Sequence, residues 1–130
     1  MATIFTKIIN GEVPCYKIAE DEKHFAFLDI NPNSKGHTLV VPRKEVDRIF
    51  DLSQEDYMDL MRFSRTVALA MEAVIPCERV GVSVIGLEVP HCHVHLIPLH
   101  SMDSATFKQK VKMSPEEFEQ TARVISEALQ

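Results

Sequence analysis

The sequence predicts an α+β fold, in which a five-stranded antiparallel sheet is covered by one long helix and a C-terminal helix. Three observations support this prediction. Five short strand-like segments follow one another in hairpin-like succession, one long stretch carries apolar residues at helical spacing, and a helix-start signal lies close to the C-terminus. Antiparallel strands are readily joined by short connections, and their sheets are commonly covered on one face.

The N-terminal third of the chain predicts one short helix and three strands. Apolar residues at positions 4, 5, 8 and 9 repeat with the spacing of one helix face, and Gly11 follows as a stop signal. The strands are predicted at 15–20, 24–28 and 38–41. An acidic turn at 21–22 separates the first two strands, a segment rich in turn formers at 31–36 precedes the third, and Pro42 ends it.

The rest of the chain predicts a long helix, two strands and a final helix. Ser53, followed three residues later by Asp56, is typical of a helix start, and Pro76 ends this helix. Its predicted inward face consists of Tyr57, Leu60, Met61, Ser64, Val67, Ala68, Met71 and Val74. The fourth and fifth strands are predicted at 80–85 and 91–96. The final helix starts at the capping box of Ser114 and Glu117. It runs to about Leu129 and carries Phe118, Ala122, Ile125 and Leu129 on one face.

Composition predicts a single globular domain over residues 1–130. Of these residues 45% are hydrophobic and 25% are charged, which is ordinary for a chain that buries a sizeable core. The net charge is −5 without a basic run, which argues against a surface for duplex nucleic acid. No segment has the pattern of a signal peptide or a membrane span. Three scattered cysteines, Cys15, Cys77 and Cys92, predict reduced thiols and a cytoplasmic protein.

The most informative segment is the histidine row His91, His93 and His95. Its alternation has the period of a strand and predicts three imidazoles on one face, with the intervening residues toward the core. A solvated strand face and a metal site are two interpretations of the row. A straight strand separates its outer members too far for easy sharing of one ion, and Glu88 is the only acidic residue nearby in the sequence. Catalysis, with a central nucleophile and flanking groups that orient it or bind charge, fits the geometry better.

This segment resembles the histidine-triad (HIT) signature, His-φ-His-φ-His-φ-φ, where φ is apolar. Three further segments match it in order and spacing: IFTKIINGEVP at 4–14, FAFLDINP at 25–32 and GHTLVVP at 36–42. Together they are similar to the nucleotide-binding (Hint-like) branch of the HIT superfamily over roughly residues 3–100. Residues 101–130 are then a C-terminal extension with its helix. The resemblance implies a half-barrel sheet with a long helix, usually paired as a homodimer.

The resemblance also implies roles for four histidines. His93 would attack the α-phosphorus of a nucleotide to give a nucleotidyl-histidine that water hydrolyses. A neutral imidazole is a competent nucleophile when its other nitrogen is held as a donor, and the carbonyl of His91 would hold it. His95 would donate to phosphate oxygens or to another histidine, and His37 would be the fourth histidine of the site. Glu88 stands where close relatives carry a serine that helps protonate the leaving amine.

Nucleotide binding is implied for a second group of residues. Asp29 would accept hydrogen bonds from both ribose hydroxyls, since an ionised carboxylate is acceptor-only, although a turn role would explain it equally simply. The base would be enclosed by Ile4, Phe5, Ile8, Phe27, Ile30 and Leu39, each of which could equally be a core residue. A purine has more apolar area to bury in such a slot than a pyrimidine.

The chain departs from the family pattern at four places. Leu87 replaces a glutamine whose amide contacts phosphate, and Ser83 is a partial substitute for a missing phosphate-contacting asparagine. Glu88 brings a carboxyl group that could act as a general acid or orient water. Thr3 and Thr6 occupy the places of a cysteine pair that binds zinc in some relatives.

These observations predict a purine-nucleotide hydrolase or phosphoramidase that acts on nucleoside 5′-monophosphate derivatives without a metal or other cofactor. Its partners would be the nucleotide substrate and a second copy of the chain, with neither duplex nucleic acid nor membrane. The alternatives are a non-catalytic nucleotide sensor or partner-binding dimer, which Leu87 suggests, and a histidine-rich metal protein.

Overall fold

The computed structural model describes residues 2–129 and shows the predicted α+β fold, a five-stranded antiparallel sheet with three helices. The helices are α1 (Ile4–Ile9), α2 (Gln54–Val74) and α3 (Pro115–Glu127). The strands are β1 (Lys17–Glu20), β2 (His24–Leu28), β3 (Thr38–Pro42), β4 (Arg79–Ser83) and β5 (Val94–Leu99). Single 3₁₀ turns lie at Ile49–Asp51 and Met102–Ala105. Among the described residues, none of the helices has the length and apolar character needed to cross a membrane.

The strand order is β1-β2-β3-β5-β4, and every neighbouring pair is antiparallel. Hairpin-like succession therefore holds for the first three strands, but the chain then leaves the sheet. It crosses through α2, forms the edge strand β4, and returns as β5 beside β3. In the β3–β5 register Leu39 lies opposite His95, and in the β4–β5 register Ser83 also lies opposite His95.

The two faces of the sheet carry two separate apolar clusters. One face packs against α2 and α3, with Val40, Val94 and Leu96 buried against Leu60 and Met71. The opposite face carries a smaller cluster, which we call the aromatic cluster: Phe5, Phe25, Phe27, Leu39 and Val41. Because successive side chains of a strand point to opposite faces, β3 supplies both clusters, and all five of its residues are buried.

The helices begin where the sequence places them. Side-chain oxygens of Thr3, Ser53 and Ser114 accept from the backbone N–H of the third residue on, and the capping box of α3 is complete. The face of α2 is largely as predicted, with four of its members fully buried: Leu60, Ser64, Val67 and Met71. Val74 was assigned wrongly to this face, because it is 37% exposed while the next residue, Ile75, turns into the core at 6%. Ala70 is buried as well, and α3 ends at Glu127 with Leu129 packed at the core edge.

Three strand boundaries differ from prediction, for reasons of pairing. β1 begins at Lys17 instead of residue 15, because its pairing with β2 extends only as far as Lys17, opposite Phe27. β4 ends at Ser83, and the expected continuation to 85 is exposed and unpaired within the described sheet. β5 begins at Val94 instead of residue 91, because β3 pairs with it only as far as Val94. Beyond that point the Cys92 N–H donates to the Val46 carbonyl at 2.7 Å.

Candidate functional site

Four histidines gather on the face of the sheet that carries the aromatic cluster. His95 lies on β5, whereas His91 and His93 lie in the segment that leads into the strand and His37 immediately precedes β3. The prediction that the whole row lies on one strand is therefore wrong. The alternation nevertheless keeps the imidazoles together: the ring centroids of His93 and His95 are 4.9 Å apart, and those of His37 and His95 are 5.2 Å apart.

His91 is fully buried, and both its ring nitrogens have partners. Its Nε2 lies 2.7 Å from the carbonyl oxygen of Pro42, which only accepts, so Nε2 carries the proton. Its Nδ1 therefore accepts from the hydroxyl of Thr3, at 2.8 Å. The ring is thus fixed in one tautomer and one orientation.

His93 has one nitrogen engaged and one available. Its Nδ1 lies 2.9 Å from the carbonyl oxygen of His91, so Nδ1 carries the proton and donates. In the neutral ring this leaves a lone pair on Nε2. Burial lowers the pKa of His93, although its hydrogen bond to the His91 carbonyl opposes that shift. The neutral, nucleophilic form is accordingly favoured at neutral pH.

His37 and His95 form a directional pair. The backbone N–H of Asn33 donates to Nδ1 of His37 at 3.0 Å, so the proton of the neutral His37 ring is on Nε2. That N–H donates to Nδ1 of His95 at 2.9 Å, which leaves the His95 proton on Nε2, ready for a ligand. Burial, reinforced by neighbouring positive charge, lowers the pKa of His37 to about 3 and that of His95 to about 4.

Asp29 lies beside this pair at the end of β2. One carboxylate oxygen accepts from the Asn31 N–H at 2.8 Å, and the other is 3.7 Å from Nε2 of His37. Burial raises the pKa of this carboxyl group, against the effect of the Asn31 N–H. Asp29, His37 and His95 also offer three ligand atoms within 4.8 Å of one another, a donor set that suits a transition metal. An ion bound there would have to replace the proton that His37 and His95 share.

The predicted base-enclosing residues divide into two groups. Phe5, Phe27 and Leu39 are buried in the aromatic cluster, with Ile8 packed at its edge. The Phe5 ring meets His93 edge-on at a centroid distance of 4.8 Å, so this cluster borders the histidines directly. Two other members lie outside the cluster and are exposed, Ile30 at 74% and Ile4 at 44%. Phe5, Phe27 and Leu39 are therefore core residues of the protein as well as candidates for contact with a base.

The segment before the histidine row is open to solvent. Leu87 is 89% exposed, and Glu88 is exposed as well. Burial raises the pKa of Asp29 and lowers that of His93, and the negative charge of Glu88 acts on both groups, adding to the first shift and opposing the second. Ser83 is partly buried, and its strand register puts it on the same sheet face as His95.

A hydrogen-bond network that sequence reasoning missed supports His91 from behind. Glu45 accepts from the Thr6 hydroxyl at 2.7 Å and from the Thr3 backbone N–H at 2.9 Å, and the Thr3 hydroxyl donates to His91. This network ties α1 to the histidine segment. The two threonines were noted only as replacements for cysteine, and no local pattern marks Glu45.

Sequence reasoning also missed two residues after β5. The Phe107 ring meets His95 edge-on at 5.0 Å and His37 at 6.0 Å. Lys110 lies over the Phe107 ring, 5.0 Å from its centroid. No periodic pattern singles out either residue, because the segment between 106 and 114 forms neither helix nor strand.

Comparison with known proteins identifies one family. A family model described as the HIT domain matches residues 10–102. An uncharacterized HIT-like protein of Methanocaldococcus jannaschii is 42% identical over 112 residues, covering 81% of this chain and 84% of that protein. An adenosine 5′-monophosphoramidase of Schizosaccharomyces pombe is 38% identical over 100 residues, 75% of this chain and 74% of that protein. The crystal structure of a HIT-like protein from Bartonella henselae has a TM-score of 0.85 at 28% identity, covering 98% and 96% of the two chains.

Removing the Thr3 hydroxyl should destabilise the protein. In Thr3→Val the buried Nδ1 of His91 loses its donor and α1 loses its N-cap, so we expect the free energy of unfolding to fall by about 1–3 kcal/mol. Thr3→Ser keeps both hydrogen bonds and should stay within about 0.5 kcal/mol of wild type. Urea unfolding at pH 7 measures both variants. A Thr3→Val variant as stable as wild type would contradict the role assigned to the Thr3 hydroxyl.

Stability should fall when the pH is lowered from about 6.5 toward 4. An unfolded histidine titrates near 6.5, whereas folded His37 and His95 have pKa values of about 3 and about 4. The unfolded chain therefore binds protons in this window that the folded chain does not, at up to about 1.4 kcal/mol per pH unit for each histidine. Urea unfolding across the window should give a shallower pH slope for the double variant His37→Gln, His95→Gln. The exposed His100→Gln serves as control, and an unchanged slope in the double variant would contradict the neutral pair.

Proposed function

The chain belongs to the HIT family, and from that premise we propose that it is a purine-nucleotide hydrolase, a phosphoramidase that acts on nucleoside 5′-monophosphate derivatives. The observation that carries this proposal is the state of His93: its Nδ1 proton is held by the His91 carbonyl and its Nε2 lone pair is available. The relative in Schizosaccharomyces pombe that is named an adenosine 5′-monophosphoramidase supports the same reaction class.

The proposed reaction has two displacements at phosphorus. In the first, the Nε2 lone pair of His93 attacks the α-phosphorus, a nitrogen–phosphorus bond forms, and the bond to the leaving amine breaks as the amine takes up a proton. The positive charge that develops on the His93 ring is stabilised by the His91 carbonyl, which accepts the Nδ1–H. In the second, water attacks the phosphorus and gives a proton to Glu88 or to solvent, and the nitrogen–phosphorus bond breaks to release the nucleoside monophosphate and neutral His93.

His95 is the proposed donor to the phosphate oxygens. The chain of hydrogen bonds from Asn33 N–H through His37 leaves a proton on Nε2 of His95. A donor that is already oriented stabilises developing charge without reorganisation at the moment of reaction. His37 acts through His95, so it is a positioning residue in this scheme.

The nucleoside is proposed to lie between Asp29 and the aromatic cluster. Each ribose hydroxyl can donate to the Asp29 carboxylate, whose two oxygens together have acceptor sites beyond the one used by Asn31. The base would rest against Phe5, Phe27 and Leu39, with Ile4, Ile8 and Ile30 at the margin. Ser83 is proposed as a further phosphate contact, because it lies across from His95 in the sheet.

Glu88 is proposed as the group that exchanges a proton with the leaving amine or the attacking water. Its charge acts on His93, and its side chain is exposed to solvent.

One observation favours a second candidate function, a non-catalytic nucleotide sensor or partner-binding dimer. Leu87 offers no donor to a phosphate, so transition-state stabilisation from this segment would be weaker.

The single domain over residues 1–130 is proposed to pair as a homodimer. β4 is an edge strand, and exposed edges invite pairing. Apolar side chains on and beside it are exposed, with Val82 at 57% and Ile85 at 49%, and Leu69 of α2 is 48% exposed. A cytoplasmic location is proposed from the three free cysteines.

Replacing the nucleophile should abolish turnover but preserve binding. We expect His93→Ala to lower kcat on an adenosine 5′-phosphoramidate by more than about 10³-fold, because the attacking lone pair is gone. The affinity for AMP should change little. Intact mass after a single turnover should reveal one added nucleotide on wild type and none on the variant, with exposed His100→Ala as control. Turnover at the wild-type rate by His93→Ala would remove His93 as nucleophile, and a wild type that binds AMP without any turnover would favour the sensor.

Asp29 should be required for ribonucleotides in particular. Asp29→Asn keeps an acceptor for the Asn31 N–H but loses the charge that receives the ribose hydroxyls. Hydrogen bonds to a charged group are worth about 1.5–3 kcal/mol, so AMP affinity should fall roughly tenfold or more. The affinity for 2′,3′-dideoxy-AMP should stay nearly constant, as measured by calorimetry. Equal losses for the two ligands would mean that Asp29 only shapes the turn.

A further inference from the structure

The segment that follows β5 is fastened across one end of the candidate site. The Asn33 side-chain amide donates to the Ser104 carbonyl at 3.0 Å, and the Val111 N–H donates to the Pro32 carbonyl at 3.0 Å. The stretch between these two bonds lies almost entirely beyond the region that the family model matches, residues 10–102. Both attachments are to the turn that positions His37.

Phe107 holds this segment against the histidines. Its backbone is in the left-handed region with φ of 64°, which bulky residues rarely adopt. That conformation directs the ring onto both imidazoles of the His37–His95 pair, edge-on at centroid distances of 6.0 and 5.0 Å. An unfavourable backbone conformation persists only where surrounding contacts enforce it, so the contacts around Phe107 determine the placement of its ring against His37 and His95.

Lys110 is held at this point by two contacts. Its ammonium group lies over the Phe107 ring at 5.0 Å and donates to the Asn33 side-chain oxygen at 2.7 Å. The same Asn33 donates its backbone N–H to His37. Within residues 2–129 the hydrogen-bond acceptor of Lys110 is thus a neutral amide, which leaves the positive charge uncompensated by an ion pair. Two of its three N–H donors remain for a ligand.

Charge balance shows what this cation can do. The pKa values of His37, His93 and His95 are lowered, chiefly by burial, and Asp29 and Glu88 contribute two carboxyl groups, so these five residues provide no permanent cation for a phosphate. Burial raises the pKa of Asp29 and lowers those of His37 and His95, and the charge of Lys110 acts on all three groups, opposing the first shift and adding to the other two. Its field therefore extends over the space beside these three residues, where like-charged carboxylates would otherwise repel an anion.

We propose that Lys110 is a phosphate-binding residue of this site, a cation that Phe107 and Asn33 hold close to the His37–His95 pair. This inference rests on the proposed function and adds to it a specificity determinant: the site should favour ligands according to their phosphate charge. Ligands with a second phosphate should depend on Lys110 at least as strongly as AMP. Adenosine, which has no charge, should not depend on it.

The test is calorimetric titration of wild type, Lys110→Gln and Lys110→Arg with adenosine, AMP and ADP at low ionic strength. Lys112→Gln is the matched control, because it removes the same charge from an exposed position two residues further along the segment. For Lys110→Gln we expect AMP affinity to fall roughly fivefold or more, a range that allows for solvent screening of an exposed ammonium. ADP affinity should fall by at least as much and adenosine affinity by less than about twofold. Lys110→Arg should retain most of the AMP affinity, and Lys112→Gln all of it.

Two results would overturn the inference. Unchanged AMP affinity in Lys110→Gln would show that the ammonium does not meet the phosphate. Equal losses for adenosine and AMP would show that Lys110 only supports the segment, and matching thermal denaturation of the variants would separate that from unfolding. If either result is obtained while the wild type turns over a phosphoramidate normally, only the assignment of Lys110 is overturned. A wild type that binds neither AMP nor ADP overturns the proposed function together with it.

Discussion

The pairing of β3 with β5 is the constraint on which the rest of this structure depends. It places Leu39 opposite His95 and Val40 opposite Val94, so one register fixes both faces of the sheet at once. On one face Val40, Val94 and Leu96 enter the core beneath α2 and α3. On the other face His95 meets His37, which precedes β3 by one residue. A slip of one residue would exchange the two faces, putting imidazoles into the helix-covered core and leaving apolar side chains on the site.

Burial of four imidazoles is tolerated here because each ring has its hydrogen bonds directed. Carbonyl oxygens of Pro42 and His91 can only accept, and the backbone N–H of Asn33 can only donate, so three backbone groups set the tautomers of the whole group. For His37, His93 and His95, removal from water also lowers the pKa and disfavours the protonated form. One consequence is chemical: a lone pair on Nε2 of His93 stands beside a proton on Nε2 of His95. His93 and His95 thus have identical side chains but opposite tautomers, because the His91 carbonyl orients the first and the Asn33 N–H orients the second through His37.

Two braces from outside the sheet hold this arrangement. The first comes from the N-terminus, where Thr3 and Thr6 with Glu45 tie α1 to His91 and thereby fix the carbonyl that orients His93. The second comes from the C-terminal side, where Phe107 and Lys110 close on the His37–His95 pair. The second adds the positive charge of Lys110 and the aromatic ring of Phe107, which both lie beyond residues 10–102 of the family-model match.

The sequence by itself determined the features that depend on local spacing. The period of two in the histidine row, the caps at Ser53 and Ser114, and the helical spacing of Leu60, Val67 and Met71 each describe neighbours along the chain, and backbone geometry converts such spacing directly into a shared face. The same spacing could not decide where β5 begins, since His91 and His93 leave the ladder only because β3 ends its pairing there.

Tertiary structure alone decided which distant groups meet. His37 and His95 are 58 residues apart, Thr3 and His91 are 88 apart, and Asn33 and Lys110 are 77 apart. Ile75 takes the core position expected for Val74, because α2 ends at Val74 and the backbone of Ile75 is extended, which the helical period cannot report. The imidazole tautomers and the placement of Lys110 follow from contacts of this long-range kind. A local pattern encodes which face a side chain takes, but the partner on that face is chosen by how the elements pack.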